Sequence, residues 1–206
     1  MKYLVCIALI AAVAFAADNL MLDEAIHIGS SEDMLQYDDG TSWWLTWGGL
    51  YRGVWFNTAD FYGSQTEGTA NQGEFWFYHY GSPYEWDTSS FYSELYDGGV
   101  SGPETELDQT SVTATHNSPV YVEYGGIQTA EEFWQFINTE MSSGNWPSIL
   151  GDNTPNSVDH SFFSDDMIVW EPWVIQGPGA NDYFDRMSDW VPALEEETWG
   201  SIKSLF

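Results

Sequence analysis

Basic residues are almost missing from this sequence. Four Lys and Arg stand against 32 Asp and Glu, a formal net charge of −28 over 206 residues. Such a chain repels phosphate backbones and anionic bilayers, so neither nucleic acid nor an acidic membrane surface is an expected partner. Cysteine is missing apart from Cys6, which excludes a disulfide framework. The four histidines, His27, His79, His116 and His160, have no ligand spacing, and without cysteine zinc is not expected. After the first 16 residues no apolar run nears the ~20 residues that span a bilayer. No G-x-S-x-G, P-loop, H-E-x-x-H or complete EF-hand pattern occurs. No fixed-period repeat is present, which argues against a propeller or solenoid.

What is there is acid, glycine and aromatic rings. The acidity has three compatible readings: a solvated surface, adaptation to high salt, and divalent-cation binding by carboxylate turns. Aromatics make up 17% of the chain; they bury the most area per residue and favour strands.

At the N-terminus Lys2 precedes the apolar run Leu4–Phe15, and Ala14-Phe15-Ala16 has the A-x-A form. Residues 1–16 read as a secretory signal peptide that carries Cys6 away with it. The expected mature product is secreted, extracellular or cell-surface, with no transmembrane segment. Its expected organisation is an acidic lead-in at 17–34, a β-sandwich domain at 35–190 and a C-terminal tail at 191–206.

The strand signals follow one grammar, an aromatic run and then an acidic or glycine-rich turn. After a first edge strand near Ala25–Ile28, Asp38-Asp39-Gly40 is turn chemistry. Ser42–Trp47 and Leu50–Asn57 read as strands broken at Gly48-Gly49. Asp60–Gly73 reads as a long loop. Glu74–Tyr80 is aromatic on both faces, so it is covered on both sides or presents rings to a ligand. Further strands are expected at Phe91–Tyr96, Glu104–His116 and Val120–Tyr124, the last ended by a turn at Gly125-Gly126. Thr129–Glu140 fits both a capped helix and a doubly covered strand, and its all-β surroundings favour the strand. Ser142–Asn156 reads as a loop, Val158–Phe163 as a short strand, Met167–Ile175 as a strong one and Asn181–Met187 as the last. Together these predict an all-β, antiparallel, jelly-roll-like sandwich with long acidic and glycine-rich loops.

Three tryptophans stand out as sugar-stacking candidates. Trp43 and Trp44 are adjacent, so in a strand they face opposite ways and one leaves the core; Trp44 is the candidate of the pair. Trp86 and Trp146 lie in loops. Asp38, Asp39, Asp165 and Asp166 are turn carboxylates of the kind that hold a structural calcium ion. Asp38–Trp43 partly matches the sialidase Asp-box, but the box occurs once and lacks its leading serine. Arg52 and Arg186 read as structural partners of buried carboxylates. An Asp/Glu pair flanking a glycosidic bond would make a hydrolase, and 32 acids supply too many pairs to choose one from spacing.

Tyr37-Asp38-Asp39-Gly40-Thr41, followed by Tyr51-Arg52-Gly53-Val54-Trp55-Phe56, resembles exported bacterial β-sandwich modules that open with Y-D-D-G-T. Phe133-Trp134 and Asp182-Tyr183-Phe184-Asp185-Arg186 fit the later strands of such modules. The resemblance implies a jelly-roll-like sandwich in a secreted or surface protein and transfers no catalytic residue. Thr198–Phe206 is similar to short tails of exported proteins, as a sorting or docking tag; a frayed amphipathic terminal turn is the plainer reading. The expected function is adhesion, glycan binding or envelope association without catalysis, with a glycan or a cell-surface protein as partner. A glycan-active hydrolase and a structural subunit of a surface layer or filament are the rivals.

Overall fold

A computed structural model describes residues 19–29, 34–154, 158–175 and 182–193. The expected signal peptide and the C-terminal tag lie outside these. Twelve strands and one short helix follow in order: β1 Asn19–His27, β2 Thr41–Thr46, β3 Tyr51–Asn57, α1 Ala59–Tyr62, β4 Gly68–Trp76, β5 Ser90–Asp97, β6 Thr105–Thr113, β7 Pro119–Thr129, β8 Glu132–Asn138, β9 Ile149–Gly151, β10 Ser161–Ser164, β11 Glu171–Pro172 and β12 Asp185–Pro192. Among the described residues no helix is long and apolar enough to cross a membrane.

One layer is a six-stranded antiparallel sheet in the order β11-β10-β3-β8-β5-β6. The other consists of β1-β2-β9 and β12-β4-β7, joined by bridges at Gly151–Tyr183 and Phe77–Ile149. Strands β2, β4, β7 and β12 thus lie in one layer and β3, β5, β6 and β8 in the other, with the chain crossing repeatedly between them. This is jelly-roll winding.

The alternation read from sequence sorts the side chains. Phe56, Phe75, Phe77, Phe91, Phe133 and Ile137 are fully buried in the cluster between the layers, each worth roughly 1.5–3 kcal/mol of transfer free energy. Their neighbours along the same strands point outward. Trp55, Trp134, Phe136 and Phe162 form a cluster on the outer face of the six-stranded sheet. Leu22, Leu45, Trp47, Leu150 and Phe184 form another on the opposite layer. Both outer faces therefore carry rings, which is why so many strands read as apolar on both sides.

Several expectations need correction. Asp60–Gly73 is not one loop, because α1 and the first half of β4 lie inside it. Gly68 and Gly73 belong to β4: a Cβ on Gly68 would sit 2.0 Å from Trp190, and one on Gly73 would sit 2.5 Å from Gln135. These glycines mark side chains lying against the strand. Gly125-Gly126 does not end β7. With φ of +69° and +89° the pair forms a bulge, since Tyr124–Gly126 stand opposite Asn71 alone. Met167–Ile175 yields only the two residues of β11. The Asp166 carboxylate accepts the amides of Ile168 and Val169, at 2.9 and 3.0 Å, and curls the segment out of the ladder. Thr129–Glu140 resolves as strand β8, paired on both sides. Strand β9 interrupts the 142–156 loop, the first edge strand starts at Asn19, and the last strand runs on to Pro192.

Arg186 is buried and bonds the carboxylates of Asp38 (Nε–Oδ2 2.8 Å) and Glu74 (Nη1–Oε1 3.2 Å), as expected of a structural arginine. Arg52, fully buried, donates to the carbonyls of Gly49, Asn145 and Pro147 at 2.6–2.8 Å.

Candidate functional site

A groove lined by rings and carboxylates begins at an irregularity in β1. Asn19–Met21 pair with Thr46–Trp44, and pairing resumes with Ile26–Ser42 and His27–Thr41. Four residues, Leu22–Ala25, thus stand against Trp43 alone. A bulge this wide redirects side chains and frees a strand from its ladder. Leu22 turns inward, 5% exposed, into the outer cluster. Asp23 and Glu24 remain exposed.

The facing wall is the continuation of β4. Phe77 is held in the core by bridges to Ile149 and His116, so alternation turns Tyr78 and Tyr80 to the opposite side. Between this wall and the bulge lies a groove of about 410 Å³ lined by Leu22–Ile26, Tyr78, Tyr80 and Asn117. That is within the usual ligand-site range. Tyr80 donates its hydroxyl to Asp23 Oδ2 at 3.0 Å, and this bond raises the phenol above its ordinary range. Asn117, at φ +50°, is fixed by its amide bond to Phe77 O at 2.9 Å.

A shell of rings supports these groups. Tyr78 lies 4.5 Å from His116, centroid to centroid. Tyr80 meets Tyr84 edge-on at 6.0 Å. Tyr84 packs on Trp47 at 5.1 Å, and Trp47 on Trp146 at 5.0 Å. Trp86 donates its indole N–H to Ser148 Oγ at 2.9 Å, and Ser148 Oγ donates to Tyr78 O at 2.9 Å. Two of the three tryptophans singled out from sequence, Trp86 and Trp146, therefore come to this end of the molecule, as half-buried supports of the groove. The third, Trp44, lies in the main core with its N–H bonded to Asn153 Oδ1 at 3.2 Å. Trp43 is the more exposed of that pair.

The four turn carboxylates are engaged by protein donors. Asp38 is buried against Arg186. Asp39 accepts the Thr41 amide at 2.8 Å and the Thr154 hydroxyl. Asp165 accepts the Leu50 amide at 3.2 Å. The amides of Val169 and Ile168 hold the Asp166 carboxyl below its usual range. Calcium needs six to eight oxygens around one point. Among the described residues no three His, Cys, Asp or Glu side chains are grouped to hold a metal.

A second polar constellation lies on the outer face of the six-stranded sheet. Glu94, 2% exposed, accepts Asn138 Nδ2 at 2.7 Å and Gln109 Nε2 at 3.0 Å through one oxygen. Burial pushes its carboxyl up against the pull of those two bonds, and the neighbouring Glu106 and Glu140 add to the rise. Tyr96 donates to Glu106 Oε2 at 3.0 Å and hydrogen-bonds the Glu94 side chain as well. One phenol thus bridges a buried acid and an exposed one.

Sequence reasoning missed Asp23, Glu24 and Asn117, which belong to no motif and meet only through the bulge. It also missed Glu94, one acid among 32. The available signal was the two-faced run Glu74–Tyr80, which pointed to rings offered to a ligand. No protein-family model, curated protein or solved structure matches the chain.

Proposed function

We propose that this protein is a secreted or cell-surface β-sandwich that binds glycans without catalysing their turnover, through the groove between the β1 bulge and Tyr78–Tyr80. The observation that carries the reading is that lining: two tyrosine rings, an amide and two carboxylates around a volume of about 410 Å³. Flat rings stack on the apolar face of a pyranose, while carboxylates and amides accept and donate to its hydroxyls. A glycan array followed by calorimetry on the hits tests it. Tyr80→Ala is expected to weaken binding at least tenfold with the fold intact by circular dichroism. Binding unchanged in Tyr80→Ala and Tyr78→Ala would remove the groove from the function.

One observation favours a second reading, a glycan-active hydrolase. Glu94 and Glu106 share Tyr96 but sit in different environments, the first buried and raised, the second exposed. Carboxyl pairs split in this way supply the acid and the base of glycoside hydrolysis. Reducing-sugar release from polysaccharides that vanishes in Glu94→Gln would move the protein to that class. No release above the Glu94→Gln background would leave the binding reading in place.

A further inference from the structure

The groove has an acidic wall, and among the described residues no cation is paired with it. Among the described residues the basic side chains outside histidine are Arg52 and Arg186, and both are buried, at 0% and 3% exposure. No described arginine or protonatable side chain forms an ion pair with Asp23 or Glu24; the ion pairs found involve Asp38, Glu74 and Asp60. The bulge turns two adjacent carboxylates outward in a chain whose net charge is −28. That field repels sulfated, uronic and phosphorylated sugars and concentrates cations.

Resting on the glycan-binding reading above, we propose that the groove's ligand is an amine-bearing glycan, a glucosamine-type oligomer with free amino groups. The protonated amine sits at Asp23 and Glu24 and the pyranose ring against Tyr80. The chemistry matches on three counts. An ammonium has three N–H donors, and the groove offers carboxylate oxygens at its wall. Tyr80 is tied to Asp23 through its hydroxyl by a 3.0 Å hydrogen bond, so the carboxylate stays at the edge of the ring on whose face the pyranose stacks. A bare divalent cation would need more oxygens than two carboxylates bring, and no described third acid joins them.

Calorimetry with three oligomers of equal length tests the proposal: glucosamine, its N-acetylated counterpart, and glucose. Each is titrated at low and at 0.5 M salt into the wild type, into the double variant Asp23→Asn/Glu24→Gln, and into Tyr80→Ala. The glucosamine oligomer is expected to bind the wild type at least tenfold tighter than the acetylated one, with the advantage lost at 0.5 M salt. The double variant is expected to erase that advantage, leaving the three oligomers bound alike, and Tyr80→Ala to weaken all three. Equal binding of acetylated and free-amine oligomers would overturn the amine assignment and leave the glycan reading standing. A free-amine advantage that survives in the double variant would mean attraction to the acidic surface at large and would also overturn it. If no oligomer binds, both readings fall. Circular dichroism of each variant separates lost folding from lost binding.

Discussion

The acids of the groove and the acids of the interior have the same side chains and opposite fates. Asp23 and Glu24 stand in water on a bulge, with Asp23 engaged by one phenol. Asp38, Asp152 and Asp185 are buried, and the fold manages each by a different device. Asp38 is matched with Arg186. Asp152 accepts the amides of Asp182 (2.9 Å) and Asp39 (3.3 Å), yet burial, with Asp182, Asp39 and Asp38 nearby, lifts its carboxyl to about 8. Asp185 bonds Gln135 Nε2 through one oxygen; burial raises it far above the carboxylate range against the pull of Gln135 and the Val54 amide. The lesson is that net charge read from composition overstates the charge the folded protein carries. Burial pushes part of the acidity toward the neutral acid, and the rest is paired inside with Arg186 or lies at the surface.

The largest test of that contrast removes the one cation serving two buried acids. Arg186→Ala leaves Asp38 and Glu74 in the interior without a counter-charge, and the expected loss is about 3–5 kcal/mol, read as a lower urea midpoint at pH 7. A midpoint within 1 M of wild type would mean that water reaches these acids.

Next comes the pH slope. Asp152 holds its proton in the folded state to about pH 8, whereas an unfolded aspartate gives it up near pH 3.9. The folded state therefore binds the extra proton between about pH 4 and 8. The stability from this group is complete below pH 4 and is lost as pH rises through 8. The stability of the wild type is expected to fall across that window by up to about 1.4 kcal/mol per pH unit for each such group. Asp152→Asn should flatten the slope measurably. A slope identical in the variant would assign the proton elsewhere.

A smaller effect is expected at Asp185. A neutral acid is close in shape to an amide, so Asp185→Asn should change stability at pH 7 by no more than about 1 kcal/mol, within the worth of one hydrogen bond. A loss above 3 kcal/mol in thermal melts would show that the native group is ionised. The smallest effect belongs to the groove. Asp23→Asn/Glu24→Gln should shift stability by no more than about 0.5 kcal/mol, because nothing there depends on burial. A larger drop in the same melts would make these residues part of the fold.

Most of the fold was legible in the sequence. Period-two alternation with turn residues located β2, β3, β5 and β6, the all-β surroundings decided β8, and alternation placed Val120, Val122 and Tyr124 inward, where all three are buried. The failures share a cause. Gly68, Gly73, Gly125 and Gly126 read as loop or turn because glycine also serves turns. In β4 the glycines answer side chains from distant strands, Trp190 and Gln135, which no local window contains. Ile168 and Val169 alternate like a strand but are 79% and 58% exposed, because Asp166 captures their amides first. The candidate site was half legible. Trp86 and Trp146 lie at the end of the molecule that holds the groove, and the two-faced run Glu74–Tyr80 supplies a wall. Asp23 and Glu24 became visible only with the β1–β2 register, since a bulge is a property of two strands.

That bulge has a consequence for how copies of the protein meet. Strand β1 borders its layer, and a straight bordering strand offers its backbone to any extended chain that drifts by. With four residues bowed out of line and Asp23 and Glu24 at the crest, this border gives an incoming strand neither a continuous run of hydrogen-bonding groups nor a neutral approach. The irregularity that shapes the groove thereby keeps neighbouring sandwiches from zipping together along the same side.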